Sequence, residues 1–109
     1  MEIDLNKIEA ELGIGKDVVV ELLKEYLKES EGLLSKLEAA VASGDYAVMV
    51  STAHTLKGSA GNLRVTSIQD AARTVEMAAR EKKDKAAMEP QVGALKILHS
   101  ELKTLLEKV

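Results

Sequence analysis

With 109 residues, the chain has room for one domain spanning 1–109. A composition 46% hydrophobic and 30% charged is globular rather than disordered; two Tyr with no Phe or Trp argue against a sheet, and the lack of Cys removes disulfides, thiolate catalysis and Cys-based zinc sites. The net charge of −3, with 15 Lys and Arg interleaved among 18 Asp and Glu, leaves no basic stripe for nucleic acid, and no apolar run approaches the roughly 20 residues of a membrane span.

The N-terminus, Met1-Glu2-Ile3-Asp4-Leu5-Asn6-Lys7, is acidic and amphipathic, unlike a secretory signal, and a cytoplasmic location is expected. A short first helix is predicted from about Asp4 to Leu12, with Asp4 as N-cap and Gly13 as its stop. The second runs from near Asp17 to about Ala42. Val19, Leu23, Tyr26, Leu33, Leu37 and Ala40 follow 3–4 spacing with Ser30 in one slot, and Val20, Leu27, Leu34 and Val41 form a parallel row. Gly44 ends it, and Asp45 can cap a third helix that continues to about Leu63.

Thr66 is predicted to open the fourth helix, with Gln69 at capping-box spacing and a narrow face of Ile68, Ala71, Ala72, Val75, Ala78 and Ala79. The stretch Arg80 to Lys85 reads as a solvated helix end and loop. The fifth helix is expected to start near Pro90 and to bury Val92, Leu95, Leu98, Leu102, Leu105 and Val109. Four substantial helices with short connections predict an all-α, antiparallel up-down four-helix bundle with a short extra N-terminal helix. No internal repeat or low-complexity tract is present, and the absence of a flanking linker leads to the expectation of a complete, monomeric protein.

The third helix carries the most informative residues: Ala53-His54-Thr55-Leu56-Lys57-Gly58-Ser59-Ala60-Gly61-Asn62-Leu63. An interior helix Gly costs roughly 0.5–1 kcal/mol relative to Ala, so its glycines serve something other than propensity. At about 100° per residue, Met49, Ala53, Leu56, Ala60 and Leu63 form a core stripe and His54 points away from it. Ala47, Val50, Ser51, Lys57, Gly58 and Gly61 fall within about 60° of His54. This face is flat, nearly uncharged and partly apolar, which suits docking by another protein. Neutral imidazole is a competent nucleophile, and a Lys one turn away can support the charge of a phosphoryl group in transfer. Gly58 and Gly61 leave space for a large partner. Asn62 and Ser59 lie toward a neighbouring helix, where hydrogen bonds would fix the helix rather than take part in chemistry.

Here the chain resembles the histidine-containing phosphotransfer (HPt) domains of two-component phosphorelays. The run from Ala53 to Leu63 looks like the family signature, with His, Leu, Lys, Gly, Ser and Asn in register. The Gly44-Asp45 opening and the stretch from Leu22-Leu23 to Leu27, where Tyr26 stands at a common Phe position, are also similar. The resemblance implies a phosphoryl carrier: His54 accepts phosphate at Nε2 from an aspartyl phosphate on a response-regulator receiver domain and passes it to another. Lys57 is then the phosphoryl-stabilising cation, Gly58 the steric gap, and Asn62 structural support. The implied partners are receiver domains and a hybrid sensor histidine kinase. No cofactor is implied on this chain, since Mg²⁺ sits in the receiver. One departure is Arg64-Val65, where the family continues with Gly and a small residue; Arg64 either bears a left-handed conformation at a cost of roughly 1 kcal/mol or the helix ends differently.

Competing readings are a helical module that binds receivers without accepting phosphate, and a histidine-kinase fragment. The second is disfavoured because Ser59 stands where such kinases place a Pro and no ATP-binding loop is present. His99, without a Lys-Gly neighbour, reads as a boundary histidine of the fifth helix, and the four Met as core or edge filler. Glu76 and Glu81 have no His at i+3 or i+4, so the carboxylate-bundle metal pattern is absent.

Overall fold

The computed structural model describes residues 3–109, and among these every regular element is an α-helix. They are α1 (Leu5–Leu12), α2 (Lys16–Ser43), α3 (Tyr46–Asn62), α4 (Thr66–Arg80) and α5 (Lys85–Glu107). The helices α2 to α5 form an elongated bundle in which α3 and α4 are the most extensively packed pair, and with α1 the molecule measures 42 × 21 × 21 Å. Met1, read with the other methionines as core or edge filler, and Glu2 lie outside the described residues.

Local chemistry sets most helix ends where the sequence places them. The Asp4 carboxylate accepts from the backbone N–H of Asn6 and Lys7, and Gly13 at φ 68° closes α1. Gly44 takes φ 75°; its N–H reaches the Val41 carbonyl and that of Asp45 reaches Ala40, the paired bonds of a Schellman cap. Asp45 then caps α3 through the Val48 N–H.

The turn into α4 is also a Schellman cap, with Arg64 at φ 61° in the position that favours glycine. The Arg64 N–H reaches Gly61 O at 3.1 Å and the Val65 N–H reaches Ala60 O at 2.9 Å. The Arg64 guanidinium also donates to Gly61 O, so of the two endings open to this residue the chain takes the left-handed one. The capping box expected at Thr66 does not form: Val65 is the N-cap, and no side chain caps the helix. Gln69 turns instead toward α3 and covers Gly61.

The helix α5 begins five residues earlier than its Pro suggested. Asp84 caps it by accepting from the Ala87 N–H, so Pro90 lies inside the helix. The carbonyl that Pro90 leaves without its usual donor belongs to exposed Ala86, where water can serve it.

The core is Leu, Val, Ile, Ala and Met, with Leu23, Leu37, Met49, Leu56, Ile68, Met88, Leu95 and Leu102 fully buried. Leu33, Leu63, Leu98 and Leu105 are half-buried at its edge, Val109 is exposed, and Leu106 takes the inward place expected of Val109. Met77 is exposed, unlike the buried Met49 and Met88. His99 is a core residue rather than a boundary one. It is stacked on Tyr26 and buried, its Nδ1–H donates to Leu95 O at 2.7 Å, and the Tyr26 hydroxyl donates to its Nε2 at 2.7 Å. Burial holds His99 below the ordinary histidine value and raises the Tyr26 phenol.

Candidate functional site

The helix α3 positions His54 by burying its opposite side. Met49, Ala53, Leu56 and Ala60 are sealed in the core, which turns His54 outward with 62% of its side chain exposed. The helix's own hydroxyls do not crowd the ring: Ser51, Thr52 and Thr55 donate back to the carbonyls of Val48, Val48 and Ser51.

Across the seam, α4 presents Glu76. Its carboxylate is buried, with 5% of the side chain exposed, and gathers three basic side chains. Lys57 Nζ stands 2.7 Å from Oε1, Arg80 donates to Oε2 through Nη2 at 2.7 Å and Nε at 3.2 Å, and His54 Nδ1 lies 3.2 Å from the same oxygen. The Lys57 ammonium, aided by Arg80 and His54, outweighs desolvation and brings Glu76 from 4.5 down to about 2. An ionised carboxylate only accepts, so His54 Nδ1 carries the proton and donates it. The neutral ring's lone pair is therefore on Nε2, the far edge, facing solvent. A buried carboxylate thus selects the tautomer and turns Nε2 outward, the arrangement that orients histidines in metal sites and catalytic triads.

Of the other residues singled out in the sequence, Lys57 joins this cluster, half-buried and ion-paired. Gly58 is exposed, and a Cβ added there would meet nothing within 4 Å, so the space beside His54 is open. Ala47 and Ser51 are exposed on the same face, while Val50 is half-buried and leans on the core. Gly61 departs from its expected place on an open face: a Cβ would stand 2.5 Å from Gln69 Nε2, so this glycine admits an α4 side chain. Asn62 is exposed, and its side chain makes no hydrogen bond among the described residues, so the expected fixing role has no contact behind it.

Glu76 and Arg80 were not singled out from the sequence as site residues. The available signal was a charge at the edge of an apolar stripe: Glu76 stands four residues after Ala72 and three before Ala79, both buried. A carboxylate so placed must find cations or destabilise the fold.

The Hpt domain family profile matches residues 21–109. No curated protein matches the chain. Two solved structures do. The HPT domain from the Hpt sensor hybrid histidine kinase of Shewanella has a TM-score of 0.78 and 22% identity, over 98% of this chain and 95% of that one. Histidine-containing phosphotransfer protein B of Pseudomonas aeruginosa has a TM-score of 0.69 and 25% identity, over 98% and 96%. Profile, bundle and exposed histidine agree: this chain belongs to the Hpt domain family, the histidine phosphotransfer domains of two-component phosphorelays.

Proposed function

We propose that His54 is the phosphoacceptor of this domain, with Lys57 supporting the phosphoryl group and Glu76 positioning the ring. The observation that carries this reading is the 3.2 Å contact of His54 Nδ1 with the buried Glu76 carboxylate, which leaves Nε2 free and outward. In the forward step the Nε2 lone pair attacks the phosphorus of an aspartyl phosphate. An N–P bond forms, the P–O bond to the acyl group breaks, and the aspartate leaves with the electron pair. The ring becomes cationic with its proton kept on Nδ1, and Glu76 stabilises that charge. Onward transfer to a second aspartate is the reverse sequence.

Response-regulator receiver domains and a histidine kinase are the partners of the family. We place the docking face on Ala47, Ser51 and Gly58, with Val50 at its edge, and assign Mg²⁺ to the receiver rather than to this chain. No helix of the described residues is long and apolar enough to cross a membrane; a cytoplasmic monomer is the form proposed. A receiver charged with labelled phosphate should transfer the label to this protein as an acid-labile, base-stable adduct. His54→Gln, still helical by circular dichroism, should take up none; label retained in that variant would remove His54 from the role. Stable association of wild-type protein without transfer would favour the binding-module reading.

A further inference from the structure

We propose that Arg80 is a positioning residue that releases Lys57 from Glu76 when a phosphoryl group arrives, an inference that rests on His54 being the phosphoacceptor. In the present geometry Lys57 is not poised toward the open face. Its ammonium is bound 2.7 Å from Glu76 Oε1, with 27% of the side chain exposed. A phosphoryl group on Nε2 lies across the ring from Nδ1, on the side away from Glu76. To reach it, Lys57 has to turn outward from the carboxylate.

That movement leaves Oε1 without its cation, and a buried carboxylate left with no cation at all is strongly destabilising. Arg80 removes this obstacle. Its guanidinium grips Oε2 through two nitrogens while 59% of its own side chain remains in solvent, so Glu76 keeps one cation after Lys57 leaves. One carboxylate shared by two formal cations leaves a surplus positive charge for the phosphoryl oxygens. With Arg80 absent, Lys57 is the one formal cation left on Glu76 beside the neutral His54 ring, and the ammonium stays where the phosphoryl group cannot use it. Arg80 therefore acts through Lys57 and needs no contact with phosphate.

The test uses phosphoramidate, which phosphorylates imidazole with loss of ammonia and needs no receiver, so docking effects drop out. The rate of His54 phosphorylation is followed by ³¹P NMR on the full chain. Arg80→Ala should slow it about tenfold, and Arg80→Lys much less. In a Lys57→Ala background the same change should cost less than about twofold, because nothing remains to be released. In a Glu76→Gln background, where the carboxylate charge that holds Lys57 is gone, the Arg80→Ala penalty should also vanish. Equal penalties in all three backgrounds, or no penalty in the parent, overturn the proposal. If Arg80→Ala does not fold, Arg80→Gln carries the same comparisons. Failure of the underlying reading looks different: His54→Gln would be phosphorylated as well as the parent, whatever Arg80 does.

Discussion

At the scale of single residues, the site depends on a division of labour between the two edges of one imidazole. Nδ1 faces a buried acceptor and Nε2 faces solvent, so the ring is oriented and keeps one nitrogen open. Replacing Glu76 separates its two contributions. Glu76→Gln keeps an oxygen for Nδ1–H but loses the charge that stabilises a cationic ring; Glu76→Ala loses both. Phosphotransfer to His54 should fall in the order wild type, Gln, Ala, with about 10–100-fold lost in the alanine variant. Rapid-quench labelling by a charged receiver measures this; an unchanged rate in Glu76→Ala would assign ring orientation elsewhere. His54, Lys57 and Gly58 were legible in the sequence because they share one face of one helix, and helical geometry ranks faces without tertiary knowledge. Glu76 was not, because its meaning depends on residues 19 and 22 positions earlier on another helix.

At the scale of elements, legibility follows how local the governing contacts are. Asp4, Gly13, Gly44 and Asp45 act within one turn of themselves, and all four mark helix ends as read. The start of α5 was obscured because Asp84 sits in a charged run where a cap and a solvated loop look alike, and because Pro90 was read as a first-turn residue. Gly61 and Gln69 show the same limit, since only the pairing of α3 with α4 gives the glycine its neighbour. The α3–α4 turn supplies an element-scale prediction. Arg64 holds a left-handed backbone that glycine adopts without a Cβ penalty, offset in part by its bond to Gly61 O. Arg64→Gly should stabilise the fold by up to about 1 kcal/mol in urea denaturation and leave transfer unchanged. Destabilisation would mean that the guanidinium bond outweighs the backbone strain.

For the whole molecule, two buried groups set the response to acid, and both act in the same direction. Unfolded histidine takes up a proton as pH falls through 6.5, whereas His99, its value lowered by burial against the opposing pull of its bond to the Leu95 carbonyl, resists until lower pH. The unfolded state then binds more protons, so stability declines below about pH 6.5 with a slope approaching 1.4 kcal/mol per unit for one proton. Glu76 adds a second decline. Its unfolded carboxyl protonates below 4.5, while the folded one stays ionised to about 2, so the stability it contributes is complete above 4.5 and lost as pH falls toward 2. Thermal melts across pH should show both stages. In His99→Gln the first should disappear and the second remain; a first stage that persists would place its origin in another group. The bundle itself was legible from apolar spacing alone, whereas this acid response was not, because Tyr26 and His99 lie 73 residues apart.

The residues clustered around His54 share one property of kinetic consequence. His54 and Lys57 on α3, and Glu76 and Arg80 on α4, all fall within a single helical hairpin running from Tyr46 to Arg80. Their contacts span short stretches of chain, the kind that close early in folding because little loop entropy opposes them. The cluster around His54 is thus one contiguous stretch of chain, while α2 and α5 pack against the hairpin and cover its apolar side.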